Sequence, residues 1–195
     1  MLTRKEMMKQ RSQEIFQVAS RILCQMGYER ASIRDIAEAT AMTKAGLYYY
    51  FNSKEELLFI ILDSYMDELL QGIAEIEAGV VEPEGRLRAF IRFQVDLYCQ
   101  DVYRSKLIIH DENCLSGQWH QTVKDKQRAY LVFWKRALEA YCQAKGLNLP
   151  FLSAHAMILV GMCNWIYQWY APQGELRPPD LAELIFQRFF HGLGA

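Results

Sequence analysis

Residues 31–58 read ASIRDIAEATAMTKAGLYYYFNSKEELL, and the punctuation of this stretch decides the class of fold. Ser32 followed by Asp35 has the form of an N-cap with an acidic group in the first helical turn. Ile33, Ile36 and Ala37 give the short helix that starts there one apolar face, and it ends near Thr40. Thr43 can cap a second short helix through Tyr50. Asn52-Ser53 then caps a long one from Lys54 to about Ile76, with Leu57, Leu58, Ile61, Leu62, Tyr65, Leu69 and Ile73 inward. Two short helices meeting at Thr40-Ala41-Met42-Thr43 form the pattern of a helix-turn-helix.

Upstream, Ile15, Ala19, Ile22 and Met26 recur at helical spacing, so an amphipathic helix is expected from about Lys9 to Met26, closed by Gly27. Downstream, Ala78 to Gly85 is the clearest break, followed by helical patterns at 86–100, 103–113, 118–145, 153–171 and 180–192. No alternating strand pattern and no internal repeat is found. The expected fold is all-α with about nine helices. A three-helix N-terminal domain over 1–54 would be followed by a larger helical domain over 55–195.

The 195 residues suit one medium globular unit or two small ones, and 51% hydrophobic with 23% charged residues excludes a disordered chain. The formal net charge of -1 conceals an asymmetry, because residues 1–54 alone carry +4. A basic segment of this kind suits an anionic partner. Five cysteines at irregular spacing with no CxxC pair fit neither a disulfide framework nor a thiolate metal site. The N-terminus has no long apolar stretch, so no signal peptide is expected. The uncharged run Ala156 to Gly174 is interrupted by Asn164, Gln168 and Pro172 and falls short of the ~20 apolar residues a membrane span needs. A cytoplasmic protein without a membrane segment is expected.

The second helix of the pair, TKAGLYYYF, has too little apolar surface to be only a core element. It would turn Lys44, Ala45, Gly46, Tyr48 and Tyr49 outward. Small residues at 45 and 46 would let the backbone approach base edges, while Lys44 and the tyrosines reach bases or phosphates. Thr43 and Lys54, each at a helix N-terminus, are natural phosphate ligands. The same spacing also fits an α-domain that never meets DNA, with the three tyrosines as plain packing.

The stretch from Ile15 to Leu58 closely resembles the N-terminal DNA-binding signature of the TetR/AcrR family of bacterial repressors. The likeness includes the Phe51–Lys54–Glu55–Leu57 tail that joins the recognition helix to the next. It departs from the family at Gly46, where Thr or Ser is frequent, and at Tyr50, where His is frequent. The resemblance implies that Ser32, Arg34, Thr43, Lys44, Tyr48, Tyr49 and Lys54 contact DNA, with Arg34 and Lys44 at base edges and the others at phosphates. It also implies a homodimer on a palindromic operator, acting as a repressor that a small ligand releases, with ligand-binding and dimerisation in 55–195.

In that half, Phe90, Phe93, Leu97, Tyr130, Phe133 and Trp134 suggest a roomy apolar pocket, and each of these side chains is also an ordinary core residue. The helical run 153–171 is apolar nearly all round, so Trp165 and Trp169, with Asn164 and Gln168 as polar handles, are expected at the ligand. Leu181, Leu184, Ile185 and Phe189 of the last helix would lie in a two-fold interface. The C-terminal stretch GMCNWIYQWYAPQGELRPPDLAELIFQRFFHGL resembles a branch of the family in which several members respond to acyl-CoA thioesters, which implies an acyl-CoA effector.

His110-Asp111-Glu112 beside Cys114 invites a metal or catalytic reading, but the four histidines show no ligand spacing. No GxSxG, phosphate loop or dinucleotide fingerprint occurs. Neither an enzyme nor a bound metal or cofactor is expected. Two further readings stand beside the acyl-CoA-released repressor. One is a repressor of a multidrug efflux gene answering aromatic or cationic drugs. The other is a helical lipid-binding protein without DNA binding.

Overall fold

The computed structural model describes residues 3–191; the outermost ends of the two expected domains, 1–2 and 192–195, lie outside it. Among the described residues there is no strand. The described residues form ten α-helices: α1 (Arg4–Met26), α2 (Ile33–Ala39), α3 (Lys44–Leu47), α4 (Lys54–Gly79), α5 (Pro83–Gln100), α6 (Val102–His110), α7 (Gly117–Lys145), α8 (Leu152–Asn164), α9 (Ile166–Trp169) and α10 (Pro178–His191), with a 3-10 turn at Glu112–Cys114. Helix α1 begins five residues before its expected start. Thr3 accepts from the Glu6 N–H at 3.3 Å while the Glu6 carboxylate takes the Thr3 N–H at 2.6 Å, a reciprocal cap that extends the helix past its apolar stripe. The expected helix over 153–171 breaks at Trp165, whose N–H reaches the Gly161 carbonyl. That break supplies the tenth helix.

The chain divides into two compact units, and packing does not follow a cut after Lys54: the residues through Tyr65 group with Tyr103–Val123. In this first unit, Ile15, Ala19 and Leu23 of α1 join Ile36, Ala37, Leu47, Phe51, Leu57, Leu58 and Ile61 in a fully buried core. The later segment adds Leu107, Ile108 and Leu115. It is also tied by polar contacts: the buried Tyr65 and Ser105 hydroxyls lie 2.7 Å apart, and Ser116 gives both its N–H and its hydroxyl to Glu55 at 2.7 Å. The Phe59 and Trp119 rings stack at 5.6 Å.

The second unit comprises Met66–Val102 and the chain from Lys124 onward. Helix α5 starts at Pro83 with Glu82 as its cap and lies along α10. Arg88 ties the two by pairing with Glu84 at 3.1 Å and with Glu183, its guanidinium 3.7 Å above the Phe186 ring. Lys145 of α7 reaches the same Glu84 at 2.8 Å. Behind this surface lie Leu87, Phe90, Ile91 and Val95 of α5, Trp134 and Leu138 of α7, Leu159 of α8 and Phe186 of α10, all at zero exposure.

Candidate nucleic-acid interface

Helix α2 is set by its cap. The Ser32 hydroxyl accepts from the Asp35 N–H at 3.3 Å and lies 2.6 Å from Oδ2 of Asp35, which also accepts the Ser32 N–H at 2.8 Å. These bonds hold the Asp35 carboxyl below the usual carboxylate range, the Ser32 hydroxyl first among them. A folded value below the unfolded one means that this contribution is present above the unfolded carboxylate range and is lost as pH falls through the depressed folded value. Ser32→Ala is therefore expected to cost ~1 kcal/mol at neutral pH, and the loss should shrink on acidification. Urea unfolding of both proteins at neutral and acidic pH checks it.

The turn that follows is closed by the Met42 N–H on the Ala37 carbonyl at 2.9 Å, with Ala41 held in the left-handed region at φ 53°. The Ala37 side chain is buried where α2 meets the turn. Helix α3 is shorter than expected, since residues 48–50 leave the α-helical path and continue as a turn. Thr43 caps it by accepting from the Gly46 N–H at 3.0 Å. Leu47 points into the core at zero exposure, while Thr43, Lys44 and Ala45 face solvent. Tyr48 and Tyr49 are 48% and 71% exposed, which is unusual for large aromatics and leaves both rings available to a partner. Gly46 is half-buried: a Cβ there would meet the Met42 methyl and the Thr43 hydroxyl at 3.3 Å, so the backbone at 46 is already at close range to the turn.

Arg34 lies exposed on α2, paired with Glu38 at 2.9 Å in a surface contact that a stronger anion could displace. Lys54, expected at a phosphate, sits among backbone carbonyls. Its ammonium donates to the carbonyls of Tyr28, Ala31 and Glu29 at 2.8, 3.1 and 3.3 Å and sits 4.3 Å from the Tyr28 ring centroid, so its donors are spent inside the domain. Sequence reasoning also passed over Arg11, which reaches the Thr40 carbonyl at 3.4 Å and so lies at the helix-turn-helix connection.

In the second unit, Phe90, Leu97, Tyr130 and Trp134 are buried, and Phe93 and Phe133 are half-buried. Asn164, at the end of α8, turns inward and accepts from the Tyr98 hydroxyl at 2.7 Å and from Gln94 at 3.0 Å. Trp165, Gln168 and Trp169, expected at the ligand, stand outward in the single chain: Trp165 is 59% and Trp169 50% exposed, and Gln168 is exposed too. Ile166 and Tyr167 continue the buried row of Ala156, Leu159, Val160 and Cys163, and the two tryptophans fall on the opposite, outward row with Met157, Ile158 and Gly161. The two tryptophans instead line a surface depression of about 280 Å³ with Met162, Leu181, Leu184, Ile185 and Arg188. Leu181 and Ile185 form its buried floor, Leu184 stands 42% exposed, and Phe189 is half-buried nearby on α10.

No cluster of three His, Cys, Asp or Glu side chains that could hold an ion occurs among the described residues. Burial pushes the Cys163 thiol up to about 12, and burial likewise raises Cys99 to about 11, so neither is a thiolate nucleophile at neutral pH. No helix among the described residues is long and apolar enough to cross a membrane.

Comparison with known proteins agrees with this arrangement. The profile for bacterial regulatory proteins of the tetR family matches residues 15–60, and that for the tetracyclin repressor-like C-terminal domain matches residues 80–193. The crystal structure of AibR in complex with isovaleryl coenzyme A and operator DNA is 30% identical, with a TM-score of 0.80 over 91% of this chain and 96% of that one. A TetR-family transcriptional regulator from Bordetella parapertussis 12822 is 29% identical, with a TM-score of 0.87 over 93% and 94% of the two chains. Among curated proteins, the HTH-type transcriptional repressor KstR2 of Rhodococcus jostii RHA1 is 21% identical over 189 residues, covering 95% of this chain and 92% of that protein.

Proposed function

We propose, from the premise that the chain belongs to the TetR family of bacterial regulatory proteins, that it is a homodimeric repressor of a palindromic operator, released by an acyl-CoA thioester. The observation that carries the DNA-binding face is the capped α3, which holds Lys44, Tyr48 and Tyr49 out in solvent while Leu47 anchors it to the core. Arg34, Thr43, Ala45 and Gly46 complete the contact surface, with Lys44 and Arg34 at base edges. Ser32 and Lys54 support it from behind through the cap and the carbonyl clamp described above. The thioester reading is supported by the likeness to AibR, whose structure contains isovaleryl coenzyme A.

The dimer face in this proposal is the tryptophan-lined depression together with Met157 and Ile158 of α8, which are 54% and 55% exposed. An isologous contact would cover this apolar surface. Release would follow if a ligand in the second unit shifted α4 and changed the separation of the two recognition helices, since half-sites lie at a fixed helical repeat.

The test is fluorescence anisotropy of a labelled duplex from the region upstream of the gene, titrated with and without isovaleryl-CoA. Tight, salt-sensitive binding that the thioester abolishes is expected. Lys44→Ala should weaken operator binding by ~1–3 kcal/mol while leaving affinity for random duplex nearly unchanged. An equal loss on both duplexes would make Lys44 a phosphate contact. Salt-insensitive or absent binding to every such duplex would return the lipid-carrier reading, and release by aromatic or cationic drugs alone would favour the efflux-gene reading.

A further inference from the structure

The interior of the second unit holds two polar atoms that its own side chains leave unserved. Helix α5 turns Phe90, Gln94 and Tyr98 to one buried face, successive residues lying one helical turn apart. Tyr98 and Gln94 both donate to Oδ1 of Asn164, so that oxygen is already shared by two donors. The other end of the Gln94 amide, Oε1, has no hydrogen-bond partner among the described residues, although the residue is only 1% exposed. Trp134 of α7 packs edge-on to Phe90 with centroids 5.7 Å apart, one turn along from Gln94. Its side chain is wholly buried and its Nε1–H likewise has no partner among the described residues. A buried donor and a buried acceptor each left unmet are costly, and native interiors carry few of them.

The chemistry of the pair is specific. One atom is a donor, the other an acceptor, and the neighbours that fix them, Phe90, Tyr98 and Asn164, are all uncharged. We infer that Gln94 and Trp134 form the polar anchor of the effector site, and that the anchor takes a neutral thioester-and-amide segment. Trp134 Nε1 donates to a carbonyl oxygen of the ligand, and Gln94 Oε1 accepts a ligand amide N–H. A carboxylate supplies acceptors only and would set its charge against the Gln94 oxygen with no cation to compensate. A plain hydrocarbon or fused aromatic ring supplies neither partner. The pantetheine arm of an acyl thioester supplies both, while its acyl chain suits the surrounding Phe90, Leu97 and Tyr130. The inference rests on the effector-responsive reading above and adds to it the two residues that choose the ligand's chemical class.

Calorimetric titration of the full chain with isovaleryl-CoA, S-isovaleryl-N-acetylcysteamine and sodium isovalerate tests it, on the unaltered protein and on Trp134→Phe and Gln94→Met. Both thioesters should bind far better than the carboxylate. Each substitution should weaken thioester binding about tenfold, the worth of one hydrogen bond to a buried group, and leave operator affinity without ligand unchanged. Operator affinity also shows whether each variant is folded, and either variant alone suffices for the comparison. If both folded variants bind the thioesters as the unaltered protein does, the two atoms are served by internal water and the anchor is refuted. If the carboxylate binds as well as the thioesters, or the thioesters do not bind, the ligand class is wrong. Intact operator binding in those cases preserves the regulator, so the two failures are told apart.

Discussion

Gly72→Ala is expected to destabilise the protein by ~1–3 kcal/mol, against the ordinary trend for glycine in a helix. At an unobstructed position inside a helix such as α4, the same change gains close to 1 kcal/mol from propensity. Here the Phe93 ring of α5 lies directly over the glycine. A Cβ would fall within the ring's own envelope, with two of the nearest ring carbons at 2.6 and 2.7 Å and a third closer still. The ring must leave its position or the two helices must separate. Phe93→Leu in the same chain removes the obstacle, so Gly72→Ala should be close to neutral or favourable in that background. A double-mutant cycle by urea unfolding measures the coupling. If the two substitutions are additive, the ring is not what reads position 72, and the close approach of α5 to α4 has no part in stability.

That contact was not legible in the sequence. A glycine within a helical pattern reads as a weak point, and Phe93 reads as pocket or core; only the fold brings the two together. The capped short helices were legible because their signals are local: Ser32 with Asp35 and Thr43 with Gly46 act within one turn of backbone. The grouping of 103–123 with the N-terminal helices was not, since it depends on pairings such as Tyr65 with Ser105, 40 residues apart. Trp165 and Trp169 sit in a run so uniformly apolar that periodicity could not separate an inner face from an outer one. Gln94 had a usable signal. It lies four residues from both Phe90 and Tyr98, so the stripe that buries them had to bury the amide as well.

Lys54→Met is expected to lower the stability of the first unit by ~1.5–3 kcal/mol, the range for a hydrogen-bonded charge, and to weaken operator binding without changing its salt dependence. The ammonium gathers the carbonyls of Tyr28, Glu29 and Ala31, which lie on the connection between α1 and the Ser32 cap of α2. Its position over the Tyr28 ring adds a cation–π contact to a phenol that burial, chiefly, pushes up to about 12 and so keeps neutral. Methionine keeps the length of the stem and removes the charge, leaving three carbonyls to find water. Glu29 is exposed and its carbonyl can do so, whereas the Tyr28 and Ala31 bonds are part-buried, which sets the cost. Lys54→Arg should recover only part of the loss, because a planar guanidinium cannot place one nitrogen among three carbonyls. A phosphate contact behaves differently: losing it would leave urea stability nearly untouched and reduce the slope of log affinity against log salt by about 1. Measuring both quantities on one variant decides between the two roles. An unchanged unfolding midpoint with a reduced salt slope would return Lys54 to the DNA surface. An unchanged slope with lost stability places it behind that surface, holding the start of α4 against the connection that leads into α2.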